Sequence, residues 1–275
     1  MYQGYTIKPL IFAGRKETME ILFPLLNSEI IDEVIVGINT KNIDDISFIE
    51  KYTSTHNKFK PVNIPAEYIG TLNAYIYMFN QMRDSSTIYI KLDDDLIYLS
   101  KNFFTALVQY RIQHPEPICV YPFVINNPLC NYLGGWFKRD FTLQSDYMFH
   151  TWNNPKYAYM MLMAFSENKL PLPYSNFDFA FDDSSVFKRP EIGFPICPSI
   201  NAICFYGKDC DYMNWPDKIK KYGGDEGYIT NGIFKEYGNT RKHVITASAL
   251  CVHYAFYTQR ASLAQTNILS KFKVV

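Results

Sequence analysis

The stretch Thr87–Leu99, TIYIKLDDDLIYL, decides how the rest of this chain is read. Ile88, Tyr89, Ile90 and Leu92 are aliphatic and aromatic residues of the kind that pack in a buried strand, and Leu96 to Leu99 is again apolar. Asp93, Asp94 and Asp95 therefore stand where a strand ends. Adjacent carboxylates repel one another and resist desolvation unless a cation or hydrogen-bond donors neutralise them. Hard divalent cations such as Mg²⁺ or Mn²⁺ prefer oxygen ligands, and at phosphate-handling sites they need only one or two carboxylates, with water and phosphate completing the shell. Side-chain alternation along an extended chain puts Asp93 and Asp95 on one side and Asp94 on the other. The competing reading is a solvated acidic turn, a common device after a strand.

Outward from the triplet, composition narrows the classes of function. The 275 residues are 48% hydrophobic, enough for a sizeable core. Lys plus Arg (27) balances Asp plus Glu (27), so no long-range field recruits nucleic acid or an anionic membrane, and any phosphate contact is local. Cys119, Cys130, Cys197, Cys204, Cys210 and Cys251 form no CxxC pair, which fits reduced thiols and gives no zinc pattern. Met1 to Gly14 lacks a basic segment followed by a long apolar core, and no run approaches the roughly 20 apolar residues of a spanning helix. The expectation is a soluble, cytoplasmic protein.

Before the triplet the chain alternates strand and helix. Ile7–Ala13 reads as a strand, Lys16–Asn27 as a helix, Ile31–Ile38 as a strand, Ile46–Tyr52 as a short helix, Lys60–Ile64 as a strand and Leu72–Met82 as a helix. Such βα units build a parallel sheet, which places ligands outside the carboxyl ends of its strands. Gly14, Arg15, the Asn39–Asn42 loop and the triplet then share one rim. Arg15 on the first loop suits a phosphate oxygen, or equally a surface ion pair.

After the triplet, Asn102–His114 reads as a helix and Ile118–Ile125 as a strand. From Asn126 to Ser199 the pattern becomes irregular, with one clear helix at Pro155–Glu167, and this part is expected to cover the rim. Tyr132, Trp136, Tyr147 and Trp152 are candidates for stacking on sugar rings, with core packing the alternative for each. Ala202–Tyr206 reads as a strand. Next comes KYGGDEGYITNGI, Lys221–Ile233, in which Asp225 and Glu226 open a helix running toward Phe234 and Tyr237. Acids in a first helical turn serve equally as caps or as chemistry. His253 lies in an apolar, strand-like run, Ala249–Phe256, and His243 beside Arg241 and Lys242 reads as a surface residue.

Taken in order, the Gly-Arg turn, the acidic triplet, the Gly-Gly-Asp-Glu turn and the late histidine resemble the GT-A glycosyltransferases, whose acidic motif is written DXD. The resemblance implies an α/β fold: a Rossmann-like, mostly parallel central sheet flanked by helices, with an irregular acceptor-side half. One domain would span residues 1–275, with a nucleotide-sugar half at 1–125 and an acceptor and catalytic-base half at 126–275. It implies that Asp95, Asp93 and His253 hold Mn²⁺ or Mg²⁺, and that Phe12, Ala13, Gly14, Arg15, Lys91, Asp93 and Asp94 meet the donor, a UDP-sugar by superfamily habit. Glu226 would be the base of an inverting reaction and Asp225 its partner at the acceptor hydroxyl; the usual order of that pair is reversed here. The partner implied is a glycan acceptor. The alternatives are a retaining enzyme, a sugar-phosphate nucleotidyltransferase, against which the lack of a glycine- and basic-rich phosphate loop counts, and a non-catalytic carbohydrate-binding protein.

Overall fold

The computed structural model describes residues 1–134, 152–170, 178–181, 199–213, 216–233, 236 and 243–273. Its first half is the expected alternation: β1 (Thr6–Ala13), α1 (Lys16–Leu25), β2 (Val34–Ile38), α2 (Ile43–Thr55), β3 (Phe59–Asn63), α3 (Leu72–Phe79) and β4 (Thr87–Asp93). There follow β5 (Leu96–Leu99), α4 (Phe103–Gln113), β6 (Val120–Ile125) and α5 (Pro128–Leu133), then a helix at Pro155–Ser166, β7 (Asp178–Phe181), β8 (Ala202–Tyr206), β9 (His243–His253) and a helix at Tyr257–Leu263. The strands form one sheet in the order β3-β2-β1-β4-β8-β6-β9-β5, with β7 also paired to β9. The β3-β2-β1-β4 half is parallel, as its βα units require, and β8 joins β4 antiparallel.

Local chemistry explains the element ends. Asn42 caps α2 by accepting from the Asp44 amide, so this helix starts three residues before its apolar pattern does. Asn154 caps the helix at Pro155 in the same way, accepting from the Tyr157 amide, with proline at the first helical position, where no amide is needed. β2 starts at Val34 rather than Ile31, because Asp32 turns back to accept from the amide of Ile7. Proline is tolerated within strands where the ladder is incomplete. Pro61 lies on the edge strand β3, and Pro122 sits where the β6–β9 register shifts. The final strand is longer than expected, running back to His243, which is fully buried and not at the surface. His243 Nε2 lies 2.9 Å from the carbonyl of Ile229, and its burial pushes the imidazole pKa down to about 4, so the ring is neutral and donates there.

The core lies on both faces of the sheet and is almost wholly apolar, with Ile7, Leu10, Leu22, Ile88, Ile90, Leu107, Phe123 and Phe205 fully buried. Five of the cysteines are described, all free and buried, as expected of reduced thiols; Cys197 lies outside the described residues, as do Trp136 and Tyr147 and the side chain of Tyr132. Among the described residues no helix is long and apolar enough to cross a membrane.

Candidate active site

Three strand registers assemble the rim. The β1–β4 ladder pairs Phe12 with Asp93, which sets Gly14 and Arg15 beside the triplet. The β4–β8 ladder pairs Leu92 with Ala202, and the Asp93 amide donates to the carbonyl of Asn201 at 2.8 Å. The antiparallel β5–β9 ladder pairs Leu96 with His253, and the Tyr254 amide donates to the Asp95 carbonyl at 2.8 Å. Residues more than a hundred positions apart in sequence thereby become neighbours of the acids.

The three aspartates have different surroundings. Asp94 is buried and points toward the first loop: its Oδ2 accepts from the Gly14 amide at 2.8 Å, and its Oδ1 accepts from Arg15 Nε at 2.8 Å and from Arg15 Nη2. Burial raises this carboxyl against the pull of Arg15, whose guanidinium joins the Gly14 amide in setting three donors on its two oxygens. Asp94 thus fastens β4 to the β1 loop. Asp93 is half-buried, with Oδ1 accepting from Lys91 Nζ at 2.5 Å and Oδ2 from Asn201 Nδ2 at 3.0 Å. Lys91 itself is 1% exposed and also donates to the Ile200 carbonyl. Its ammonium is thus held between Asp93 and the Ile200 carbonyl. Arg15 is likewise held as an ion pair, its Nη1 lying 3.0 Å from Asp95 Oδ2.

Asp95, 1% exposed, is the acid that faces the missing half of the expected site. Its Oδ2 meets Arg15 and, at 3.5 Å, Arg260 Nη2, whereas its buried Oδ1 has no hydrogen-bond donor. His253 Nε2 lies 3.4 Å from that Oδ1. Burial works to raise the Asp95 carboxyl, but His253 and Arg15 hold it well below the usual carboxylate range. On the far side of the ring, His253 Nδ1 lies 3.4 Å from the carbonyl of Asn126, which can only accept, so Nδ1 is the donor there and Nε2 is the nitrogen turned to Asp95. A buried carboxylate oxygen with no hydrogen-bond donor and an imidazole nitrogen facing it are two atoms that one divalent cation can join. The ligand atoms of Asp93, Asp95 and His253 all lie within 4.8 Å of one another, so the expected set comes together and its donor chemistry fits a divalent ion.

The second acidic feature meets the first electrically. Gly224, at φ +131, makes the turn, and Asp225–Gly227 opens a helical run as expected, passing into one π-helical turn at Tyr228–Gly232; Phe234 and Tyr237 lie outside the described residues. Gly227 is required there, since a Cβ would lie 2.2 Å from the Tyr222 carbonyl. Asp225 is raised by burial, against the pull of Lys91. Glu226 is exposed to solvent at its own surface, yet enough protein surrounds it for burial to act on its carboxyl. Desolvation first, then the charges of Asp225 and Asp93, push its carboxyl up to about 7, with Lys91 and His253 opposing. Tyr75 of α3 joins the same field: burial, then Asp225 and Asp93, raise its hydroxyl, and its ring packs 4.3 Å from that of Phe12. Phe12 and Ala13 are both buried, serving as packing beneath the rim. Trp152 is exposed, and its carbonyl accepts from Thr258 Oγ1 at 2.7 Å, next to the segment that carries His253.

Sequence reasoning missed Asn201, Arg260, Asn126 and Tyr75. None has a local signature: each is a lone polar or aromatic residue that long-range pairing brings to the acids.

A mixed α/β sheet with its parallel half flanked by helices and an Asp-x-Asp pair at the rim, beside a histidine on the last strand, is the GT-A fold. Among solved structures, GalNAc-T7 with UDP, GalNAc and Mn²⁺ superposes with a TM-score of 0.55 at 12% identity, covering 92% of this chain and 44% of that one. Glucosyl-3-phosphoglycerate synthase from Mycobacterium tuberculosis, in complex with Mn²⁺, UDP and phosphoglyceric acid, covers 99% of this chain and 80% of its own at 16% identity and a TM-score of 0.46. The 4-diphosphocytidyl-2C-methyl-D-erythritol synthase from Anaerococcus prevotii DSM 20548 aligns over 43% of this chain and 55% of its own, at 15% identity and a TM-score of 0.34. At these identities the likeness is one of fold. No protein-family profile matches the chain, and no curated protein matches it in sequence.

Proposed function

We propose that this protein is a metal-dependent glycosyltransferase that moves a sugar from a UDP-linked donor to a hydroxyl of a glycan, with inversion at the anomeric carbon. The observation that carries the reading is the convergence of Asp93, Asp95 and His253 at the rim of a GT-A fold, within the electrostatic reach of Asp225 and Glu226. The UDP in the GalNAc-T7 structure is the precedent for the donor.

In this reading Asp95, Asp93 and His253 hold Mn²⁺ or Mg²⁺, which supplies positive charge against the negative charge that develops on a leaving diphosphate. Lys91 and Asn201 keep Asp93 in place from behind, and Arg15 closes the first loop on Asp94 and Asp95. Glu226 takes the proton of the acceptor hydroxyl as the bond from the anomeric carbon to the diphosphate breaks. A carboxyl near 7 suits that task, because it is a stronger base than an ordinary glutamate and about half ionised at neutral pH. Asp225 orients the hydroxyl.

The test is a panel of nucleotide sugars incubated with the protein in Mn²⁺ or in EDTA, with release of nucleoside diphosphate as the readout. Cleavage of at least one donor only with metal is expected; a protein that neither cleaves nor binds any of them with Mn²⁺ overturns the reading. The product's anomeric configuration by NMR then decides the stereochemistry, and retention removes Glu226 from the role of base.

A further inference from the structure

We propose that Asn126 is a positioning residue that sets which nitrogen of His253 carries the proton, and so presents Nε2 to the site. The proposal rests on the reading of His253 as a metal ligand. Asn126 follows the last residue of β6, where Ile125 pairs with Val252 of β9, and it is 1% exposed. Its backbone is left-handed, with φ +61, a conformation that asparagine tolerates better than most residues do. That geometry turns its carbonyl to His253 Nδ1 at 3.4 Å.

The side chain holds this arrangement. Asn126 Nδ2 faces three acceptors, the carbonyls of His253 and Tyr254 at 3.3 and 3.1 Å and Gln259 Oε1 at 3.1 Å. Three oxygens around one end of the amide fix which way it points, since the flipped amide would set oxygen against oxygen. Gln259, fully buried, uses the same Oε1 to accept from the Phe256 amide at 3.0 Å, and the Phe256 ring packs edge-on against His253 with centroids 4.5 Å apart. Asn126 thus gathers both the backbone of His253 and the start of the helix beyond it. A carbonyl on Nδ1 leaves the lone pair on Nε2, the nitrogen 3.4 Å from the donor-less Oδ1 of Asp95.

Two substitutions separate positioning from stability. Asn126→Gly keeps the left-handed backbone and removes the amide; Asn126→Asp keeps the shape and sets an acceptor against three acceptors. The imidazole ¹⁵N shifts of His253, assigned by difference with His253→Gln, are measured without metal at about pH 8.5, roughly two units above an ordinary histidine pKa. Mn²⁺ affinity is titrated separately without donor. We expect an Nδ1–H ring in the unaltered protein, a shift toward Nε2–H in both variants, and Mn²⁺ binding weakened by about tenfold or more. The proposal is overturned if His253 of the unaltered protein carries its proton on Nε2. It is equally overturned if the variants melt earlier but keep the Nδ1–H ring and the original Mn²⁺ affinity. If the unaltered protein binds no Mn²⁺, the metal reading fails while the ¹⁵N spectra still decide the role of Asn126. Should Asn126→Asp not fold, Asn126→Gly and the unaltered protein carry the test.

Discussion

The two acidic walls of this site are built on opposite principles. At the triplet each carboxylate is pinned: Asp94 by the Gly14 amide and Arg15, Asp93 by Lys91 and Asn201, Asp95 by Arg15 with Arg260 beyond. At the Asp225–Glu226 turn the cation that pulls hardest on both carboxyls is Lys91, already bonded to Asp93, and both are raised. A wall of compensated charge is preorganised to hold something in place. A wall of under-compensated charge is poised to take a proton.

Substitution at Asp95 puts the largest strain on that contrast. Asp95→Ala should lower Mn²⁺-dependent turnover more than about 100-fold, since loss even of a residue behind a metal ligand typically costs 10–100-fold. Donor cleavage near the unaltered rate would dissolve the pinned wall as a metal site. Glu226→Gln comes next: kcat should fall by roughly 10²–10⁴, the usual contribution of a general base. Urea denaturation of the same variant above pH 7 should show a stability equal to or higher than the original, because burial and the charges of Asp225 and Asp93 oppose that carboxylate in the folded state and the amide relieves them.

The third consequence is a pH profile. The folded carboxyl of Glu226 is raised to about 7, so it is protonated below that pH and useless as a base there. The kcat/KM profile should show an acidic limb centred near pH 7, falling about tenfold per unit beneath it. A limb near the ordinary glutamate value, about 4.3, would mean that solvent screens Glu226 fully and that the poised wall is an ordinary one. The smallest effect on chemistry, and the one that most sharpens the comparison, belongs to Asp94→Asn. It should cost about 1.5–3 kcal/mol in urea, the worth of hydrogen bonds to a charged group, with Mn²⁺ affinity far less affected than by Asp95→Ala. An unchanged denaturation midpoint would show that Asp94 does not fasten the β1 loop.

Much of this was legible in the chain itself. The βα alternation up to Asp93 followed from apolar periodicity, and the separation of Asp94 from Asp93 and Asp95 followed from alternation along a strand. What stayed hidden shares a cause. For Lys91 the sequence shows a charge near the acids and not that it is buried and bonded to Asp93. His243 reads as surface because Arg241 and Lys242 precede it, whereas β9 begins at the histidine and buries it at once. Within the helical run at Asp225, propensity cannot foresee the π-helical turn, which is shaped by close packing of Gly227 and Gly232 on Tyr222.

By itself, then, the sequence determined the parallel half of the sheet, the strand end that carries the triplet and the identity of the acids. These depend on side-chain period and local propensity, which neighbours in the chain decide. Only the tertiary structure decided that Asp95 is the member of the triplet that keeps an oxygen without a donor, that His253 reaches that oxygen, and that Asn201, Arg260 and Asn126 stand beside the acids. Those outcomes depend on registers such as Leu96 with His253 and Phe12 with Asp93, between residues far apart in the chain. Such registers are set by how the whole core packs.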